Sequence, residues 1–302
     1  MNVVDPIHYK NCPVCGSDQI GYCLTALDHT VSQQHFDIWH CQTCSFRFTQ
    51  NIPAPSAIGA YYRSENYISH SNTQKGLVNQ LYHLARKFTL HQKKQLLQES
   101  LHLQSGKLLD IGAGTGAFCN YMKQAGWNVT GLEPDAAARR VAKDAHQVNL
   151  LEIEALFEFP AASFDAITLW HVLEHVHELD AYMQQIRNIL KPNGRIFIAV
   201  PNYTSFDAAQ YKEHWAAYDV PRHLYHFSPP SMQALLEKHQ LRLTNLHPMW
   251  FDSLYVSLLS EKIKKSKFPF LSGILTGLQS NFITWKNEKR CSSLIYEIRI
   301  DS

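Results

Sequence analysis

Lys107-Leu-Leu-Asp-Ile-Gly-Ala-Gly-Thr-Gly-Ala-Phe118 is the stretch from which the rest of the chain is read. Leu108, Leu109 and Ile111 predict a buried strand, and Gly112, Gly114 and Gly116 a tight turn, with a helix over 117–125. A strand, a glycine turn and a helix N-terminus together let backbone approach a ligand closely, because glycine has no Cβ. Such a turn alone is a weak signal, and two carboxylates sharpen it. Asp110 stands on the strand just before the turn, where it suits a ligand's ammonium group. Glu133 ends the next apparent strand, 128–133, about 20 positions past the glycines, where a ribose diol is held by two hydrogen bonds. The spacing is Gly-x-Gly-x-Gly, not Gly-x-Gly-x-x-Gly, and no Lys-Ser/Thr pair follows. That excludes the pyrophosphate fingerprint and the nucleoside-triphosphate loop. The ligand implied carries a ribose and an ammonium but no phosphate.

Two later blocks extend the pattern: Phe164-Asp-Ala-Ile-Thr-Leu-Trp-His-Val-Leu-Glu-His-Val176, and 189–202 with its Lys-Pro-Asn-Gly turn. With the central stretch and Gly131-Leu-Glu-Pro-Asp135, they resemble the motifs of the class I S-adenosylmethionine-dependent methyltransferases, in that family's order, from Leu108 to the C-terminus. The resemblance implies an α/β fold: a Rossmann-like seven-stranded methyltransferase sheet with helices on both faces. It also implies S-adenosylmethionine as methyl donor, held by Asp110, Gly112, Ala113, Gly114, Gly116, Glu133, Pro134, Trp170 and His171. Residues 147–153 read as the third strand. Many relatives carry an Asp or a similar polar residue just past it for the adenine amino group; here the nearest positions are Ile153, Glu154 and Ala155, a departure from the commoner pattern, and no residue is carried over.

Ahead of this domain, Cys12-Pro-Val-Cys15 and Cys41-Gln-Thr-Cys44 are two Cys-x-x-Cys knuckles 25 residues apart. Four thiolates make a closed tetrahedral Zn²⁺ site, so Cys12, Cys15, Cys41 and Cys44 are assigned a structural metal in a zinc ribbon. Ile20–Leu27 and His35–His40 are its expected strands. A redox role for the pairs is the rival reading. Chelation is expected to unfold residues 1–50 without removing the chemistry of the large domain. The resulting division is 1–50 zinc ribbon, 51–106 linker and helical or lid segment, and 107–302 methyltransferase domain with an insertion at about 252–290. Within the middle segment Tyr62, Tyr67 and His70 are candidate lid contacts. Leu77, Leu81, Leu84 and Phe88 recur at helical spacing.

The 302 residues hold 28 Lys+Arg against 26 Asp+Glu, a formal charge of +2, too balanced for nucleic-acid binding by charge alone. The apolar fraction of 45% supports a sizeable core, and no apolar run is long enough to span a bilayer. The N-terminus lacks a basic region followed by an apolar one, and the seven cysteines suggest no disulfide scaffold, so a cytoplasmic location is expected.

The long loop 201–230 carries His214, Trp215, Tyr218, Asp219, Arg222, His223, Tyr225 and His226, and long loops over strand ends favour function. In-line transfer to a hydroxyl or an acidic C–H gains from a base of near-neutral pKa. His223 is assigned that role first, then His171 or His226. The acceptor is expected to be a small molecule, methylated on oxygen or carbon. The alternatives are an RNA methyltransferase that reads substrate with its ribbon, and a non-catalytic cofactor-binding protein. The insertion joins Lys262-Ile-Lys-Lys-Ser-Lys267 to an apolar run, 268–285. Pro269, Gly273 and Gly277 argue against a clean helix, and peripheral membrane contact ranks below a helical lid or dimer contact.

Overall fold

The computed structural model describes residues 5–62 and 77–301, with side chains described over 5–62 and 88–301. Two compact units divide the chain. One comprises Ile68–Trp170 and Asp180–Phe197; the other gathers Met1–Tyr67, His171–Leu179 and Ile198–Asp301.

The first unit is built on parallel strands that read as near-continuous apolar runs, as strands covered on both faces do. β4 (Lys107–Ile111) lies between β5 (Asn128–Leu132) and β6 (Phe164–Trp170), with Asp110 opposite Gly131 on one side and Thr168 on the other. Leu108, Leu109, Ile111, Ile167 and Leu169 are fully buried. The described helices of this stretch begin with α1 (Pro55–Ile58) of the other unit and α2 (Leu77–Leu101), followed by α3 (Ala117–Gln124), α4 (Ala136–His146) and α5 (Leu179–Ile189). The 77–101 stripe thus forms one helix. Asp135 caps α4 by accepting from the amides of Ala137 and Ala138 at 2.6 and 3.0 Å.

The described sheet has six strands, in the order β5-β4-β6-β7-β10-β9, and not the expected seven. β7 (Leu190–Pro201) takes in the Lys-Pro-Asn-Gly segment and continues into the second unit, where β10 (Ser293–Ile300) and β9 (Leu241–Pro248) pair antiparallel. The missing strand is 147–153. Gln147 turns left-handed at φ 55° to end α4, and a 3₁₀ turn, Ile153–Glu158, takes over at the other end. Between them only Leu151 bridges Leu132, with Leu151 N–H donating to Gly131 O and Glu133 N–H to Leu151 O.

In the second unit β1 (Ile20–Leu27), β2 (His35–Cys41) and β3 (Arg47–Thr49) form an antiparallel meander. A fourth strand, β8 (Tyr225–His226), joins its edge with Arg47 opposite His226 and Phe48 opposite Tyr225. The expected ribbon therefore shares a sheet with the long loop, and Phe46, Phe48, Tyr225 and Phe227 pack as one aromatic cluster. α6 (Phe206–Tyr211) precedes the loop's core. α7 (Pro229–Lys238) opens on a Ser228–Ser231 capping box with Pro229 in its first turn.

α8 (Trp250–Ile263) and α9 (Pro269–Lys286) form a hairpin within this unit. The glycines that argued against helix in 268–285 have another use. A Cβ on Gly273 would meet the Leu258 backbone at 2.9 Å, and one on Gly277 the Leu254 backbone at 2.8 Å. The two helices approach so closely that only glycine fits there, and Pro269 sits where a first-turn N–H has no partner to lose. No helix among the described residues is long and apolar enough to cross a membrane.

Candidate active site and metal centre

The two cysteine knuckles fold alike. Gly16 N–H donates to Cys12 O at 2.9 Å and Ser45 N–H to Cys41 O at 3.0 Å, each donor residue being left-handed (φ 74° and 60°). Each turn thereby aims two thiols at one point. Cys12 and Cys44 Sγ are 3.6 Å apart, as are Cys15 and Cys41, and all four lie within 4.8 Å of one another. The edge of a tetrahedron with ~2.3 Å zinc–sulfur arms is about 3.8 Å, so the four cysteines fit Zn²⁺ with little movement.

At the carboxyl ends of β4 and β5, Glu133 receives backbone donors on both oxygens: Gly114 N–H on Oε2 at 2.8 Å and Asp135 N–H on Oε1 at 3.0 Å. It is an acceptor-only group whose orientation is fixed before any ligand arrives, and each oxygen keeps a lone pair for a further donor. Ala113 N–H donates to Leu132 O, which ties the glycine turn to β5. Gly114 is left-handed with open space beyond its Cα, and Gly112 and Gly116 share the sign of φ. Gly116 is also sterically obligatory, since a Cβ there would meet Ala142 Cβ at 2.8 Å. Pro134 is exposed, and its carbonyl accepts from Arg139.

Asp110, expected to meet a ligand's ammonium, is held by protein donors. Only 1% exposed, its carboxylate accepts from Thr168 Oγ1 at 2.7 Å and Cys119 Sγ at 3.5 Å. Burial raises its pKa to about 6, against the lowering effects of the Thr168 bond and the Lys93 charge. Phe118 and Trp170 pack edge to face at 5.6 Å, with Lys93 Nζ 4.1 Å from the Trp170 ring centre. Trp170 Nε1 is buried without an acceptor. Sequence reasoning missed Thr168, Cys119 and Lys93. A threonine in register with Asp110 inside an otherwise apolar strand was the available signal. A cleft of ≈ 220 Å³ lined by Lys107, Asn128 and Phe164 lies at the opposite, amino ends of these strands and contains none of the candidate residues.

The candidate bases lie in the second unit and are not equivalent. His171, the residue after β6, is left-handed (φ 57°), with its N–H on Ala199 O at 2.9 Å. Its ring lies between Asp252 (3.2 Å) and Glu174 (3.3 Å). Burial opposes the charge, but the two carboxylates override it and raise the pKa to about 10. The two carboxylates favour the protonated ring, which weighs against the expectation of a base at His171. His226, opposite Arg47 in β8, is the third candidate. It is buried, its Nε2 is engaged with Thr49 Oγ1 at 3.1 Å, and burial, then His223 and Arg47, push its pKa well down. His223 donates Nδ1–H to Ala217 O at 2.8 Å, which leaves the Nε2 lone pair as its acceptor. His175 packs against it at 4.6 Å between ring centres, and burial followed by the His223 charge lowers its pKa to about 4. Tyr62 Oη lies 3.0 Å from His175 Nδ1. Tyr67 and His70, the other expected lid contacts, lie outside the described residues.

Arg222 explains the Pro-Arg-His turn. Nearly inaccessible, it bonds Asp28 at 3.0 Å and Asp219 at 2.6 Å and donates to Tyr61 O at 3.0 Å. Asp28, at the β1–β2 turn, is itself held by the amides of Thr30, Val31 and Ser32.

A family profile described as "Methyltransferase domain" matches residues 82–246, more than half of the chain. A ubiquinone biosynthesis O-methyltransferase from Xanthomonas oryzae pv. oryzae is 28% identical over 165 residues, 50% of this chain and 69% of that one. Its counterpart from Brucella anthropi is 31% identical over 154 residues, 45% and 60% of the two chains. Among solved structures, a Galdieria sulphuraria protein described as a sarcosine dimethylglycine methyltransferase superposes with a TM-score of 0.50 at 15% identity, covering 77% of this chain and 93% of that one. The glycine turn, the pre-oriented acidic residue after the second parallel strand and the family match agree: the chain belongs to the class I S-adenosylmethionine-dependent methyltransferases.

Proposed function

We propose that this protein methylates an oxygen of a small hydroxylated acceptor. The observation that carries the reading is the Glu133 carboxylate, fixed by two amides with one acceptor position left on each oxygen, which suits the two hydroxyls of a ribose. The open space at Gly114 leaves room for a ligand against the turn, and the orphaned Trp170 Nε1–H offers it a donor. Asp110 contributes as a buried charge beneath the turn that favours a cationic ligand, more than as a direct partner. Bound by these residues, S-adenosylmethionine supplies an electrophilic methyl carbon: an acceptor oxygen makes the new O–C bond as the S–C bond breaks. Alignment of acceptor and donor accounts for most of the barrier reduction, up to ~7–11 kcal/mol.

Oxygen as the methylated atom is supported by the names of the relatives, which are O-methyltransferases of ubiquinone biosynthesis. The acceptor's proton leaves at His223, whose Nδ1–H is spent on a carbonyl and whose Nε2 lone pair is left facing outward from that bond. The clustering of the four cysteines supports a structural Zn²⁺ there. The test is release of S-adenosylhomocysteine from a panel of hydroxylated aromatic acceptors, with methylated products identified by mass spectrometry. The reading expects an O-methyl product and a ~10²–10⁴-fold fall in kcat for His223→Ala. Binding of cofactor without turnover on any acceptor supports the non-catalytic alternative instead, and an exclusively C-methylated product removes the choice of oxygen.

A further inference from the structure

The geometry points to a second metal centre, a divalent-cation site formed by Glu174 Oε2, His175 Nε2 and His223 Nε2. These three residues offer one ligand atom each within 4.8 Å of one another, the second such group among the described residues after the cysteines. Three independent features indicate that they are organised for an ion. Glu174 is completely buried, yet its Oε2 has no hydrogen-bond partner, a cost of a few kcal/mol unless something positive completes it. His175 Nδ1 lies 3.0 Å from Arg222 O, and His223 Nδ1 lies 2.8 Å from Ala217 O. A carbonyl only accepts, so both rings carry their proton on Nδ1 and present a bare Nε2 lone pair. A backbone carbonyl on one ring nitrogen is the usual arrangement behind a metal-bound imidazole. Finally, the carbonyls are themselves pinned: Arg222 is locked between Asp28 and Asp219, and Ala217 sits in a 3₁₀ turn beside it.

Two imidazoles and one carboxylate suit a borderline first-row cation such as Zn²⁺, Co²⁺, Fe²⁺ or Mn²⁺, and not Ca²⁺ or Mg²⁺, which prefer all-oxygen shells. Ligand arms of ~2.1 Å set the three atoms about 3.4 Å apart, a contraction of up to roughly 1.4 Å from the 4.8 Å limit, within reach of side-chain rotation. Three protein ligands leave coordination positions open. The acceptor class this favours has two adjacent oxygens, a catechol-like or α-hydroxycarbonyl group that chelates the cation. This rests on the proposed methyl transfer but reassigns its base, since an Nε2 lone pair bound to a cation takes no proton. His223 then acts through the ion, which lowers the pKa of the acceptor hydroxyl so that its proton passes to water.

The test uses full-length protein with its cysteine site zinc-loaded, titrated with Co²⁺ alone and followed by visible absorption and metal analysis after dialysis. The expected result is one further equivalent of Co²⁺ without a thiolate charge-transfer band, weakened at least tenfold in both Glu174→Gln and His223→Ala. Unchanged S-adenosylhomocysteine affinity and thermal transition in either variant show that the fold survives. No further equivalent in wild type, or undiminished uptake in both variants, overturns the site. Absent Co²⁺ uptake with His223→Ala still inactive leaves the imidazole as a plain base, so this inference falls while the methyltransferase reading stands. Uptake lost as expected in a protein with no turnover on any acceptor keeps the site and removes that reading.

A separate observation concerns α9. Its small residues Gly273, Gly277, Ser280 and Thr284 are buried, whereas Phe268, Leu271, Leu275, Leu278, Phe282 and Trp285 are all more than half exposed. The helix is inverted relative to an ordinary surface helix, with its apolar stripe turned to solvent. Exposed Lys262, Lys264, Lys265 and Lys267 lie at one end, and exposed Lys286 and Lys289 with half-buried Arg290 at the other. A dimer through this stripe sets lysines against lysines in either helix direction, while an anionic surface neutralises them. We infer that α9 lies along an anionic lipid bilayer. Sedimentation with sucrose-loaded phosphatidylglycerol/phosphatidylethanolamine vesicles should pull down the protein. Pure phosphatidylcholine should bind at least tenfold less, and Leu275→Asp/Leu278→Asp should abolish binding. No binding to anionic vesicles, or a stable dimer in light scattering that the same variant dissociates, contradicts it.

Discussion

Asp110 and Arg222 are buried charges with opposite supports, and each makes a prediction. Asp110 sits in β4 with a raised pKa of about 6, burial being the main cause. Its stabilising contribution to the ligand-free fold is therefore complete below its unfolded pKa and is lost as pH rises through about 6. A cationic ligand alongside favours the ionised form, so binding releases a proton. Affinity for S-adenosylmethionine should fall as pH is lowered through about 6, and Asp110→Asn should flatten that slope. Calorimetry in buffers of different ionisation enthalpy reads both, and equal affinity from about pH 5 to pH 8 contradicts the role. Arg222 has two carboxylates for one guanidinium. Arg222→Ala leaves Asp28 buried without its cation and should cost about 3–5 kcal/mol in denaturant unfolding; a loss under about 1 kcal/mol would show that the pair is not structural. Glu133 was legible because its distance from the glycines is set along the chain. The Arg222–Asp28 pair joins positions 194 apart, and no local pattern encodes it.

At the scale of elements, close helix contact decides how the glycines of α9 are read. Gly277→Val places side-chain atoms where Leu254 backbone now stands, and should destabilise the α8–α9 hairpin by about 1–3 kcal/mol, measurable as faster amide exchange in both helices. A neutral substitution would mean that the helices separate at little cost. Sequence periodicity sees glycine as a helix breaker, since propensity is local and the compensating contact is not. The lost third strand has a related cause. Residues 147–153 have strand-like composition, but one bridge at Leu151 is all that fits between a left-handed Gln147 and the 3₁₀ turn. The turn at Gly112, Gly114 and Gly116 was legible because its signal is written within a few consecutive residues.

For the molecule as a whole, the unit containing the ribbon is assembled from three separated stretches. β3 pairs with β8, and Thr49 Oγ1 donates to His223 O at 2.8 Å. Zinc binding worth ~10–16 kcal/mol therefore supports more than residues 1–50. Chelation should raise amide exchange at 47–49 and at 223–226 together, in place of the isolated loss the sequence suggested. Exchange confined to 1–50 would restore the independent ribbon. The fold class was legible because its motifs occur in order along the chain, whereas the shared sheet depends on pairing between residues 47 and 226. The central claim, that an adenosyl sulfonium cofactor is gripped at Glu133, is tested most directly by titrating S-adenosylhomocysteine into wild-type protein and Glu133→Ala. One-to-one binding that weakens at least tenfold in the variant, with no heat from a nicotinamide dinucleotide, is the predicted result. Equal affinity in the two proteins, or preference for the dinucleotide, contradicts it.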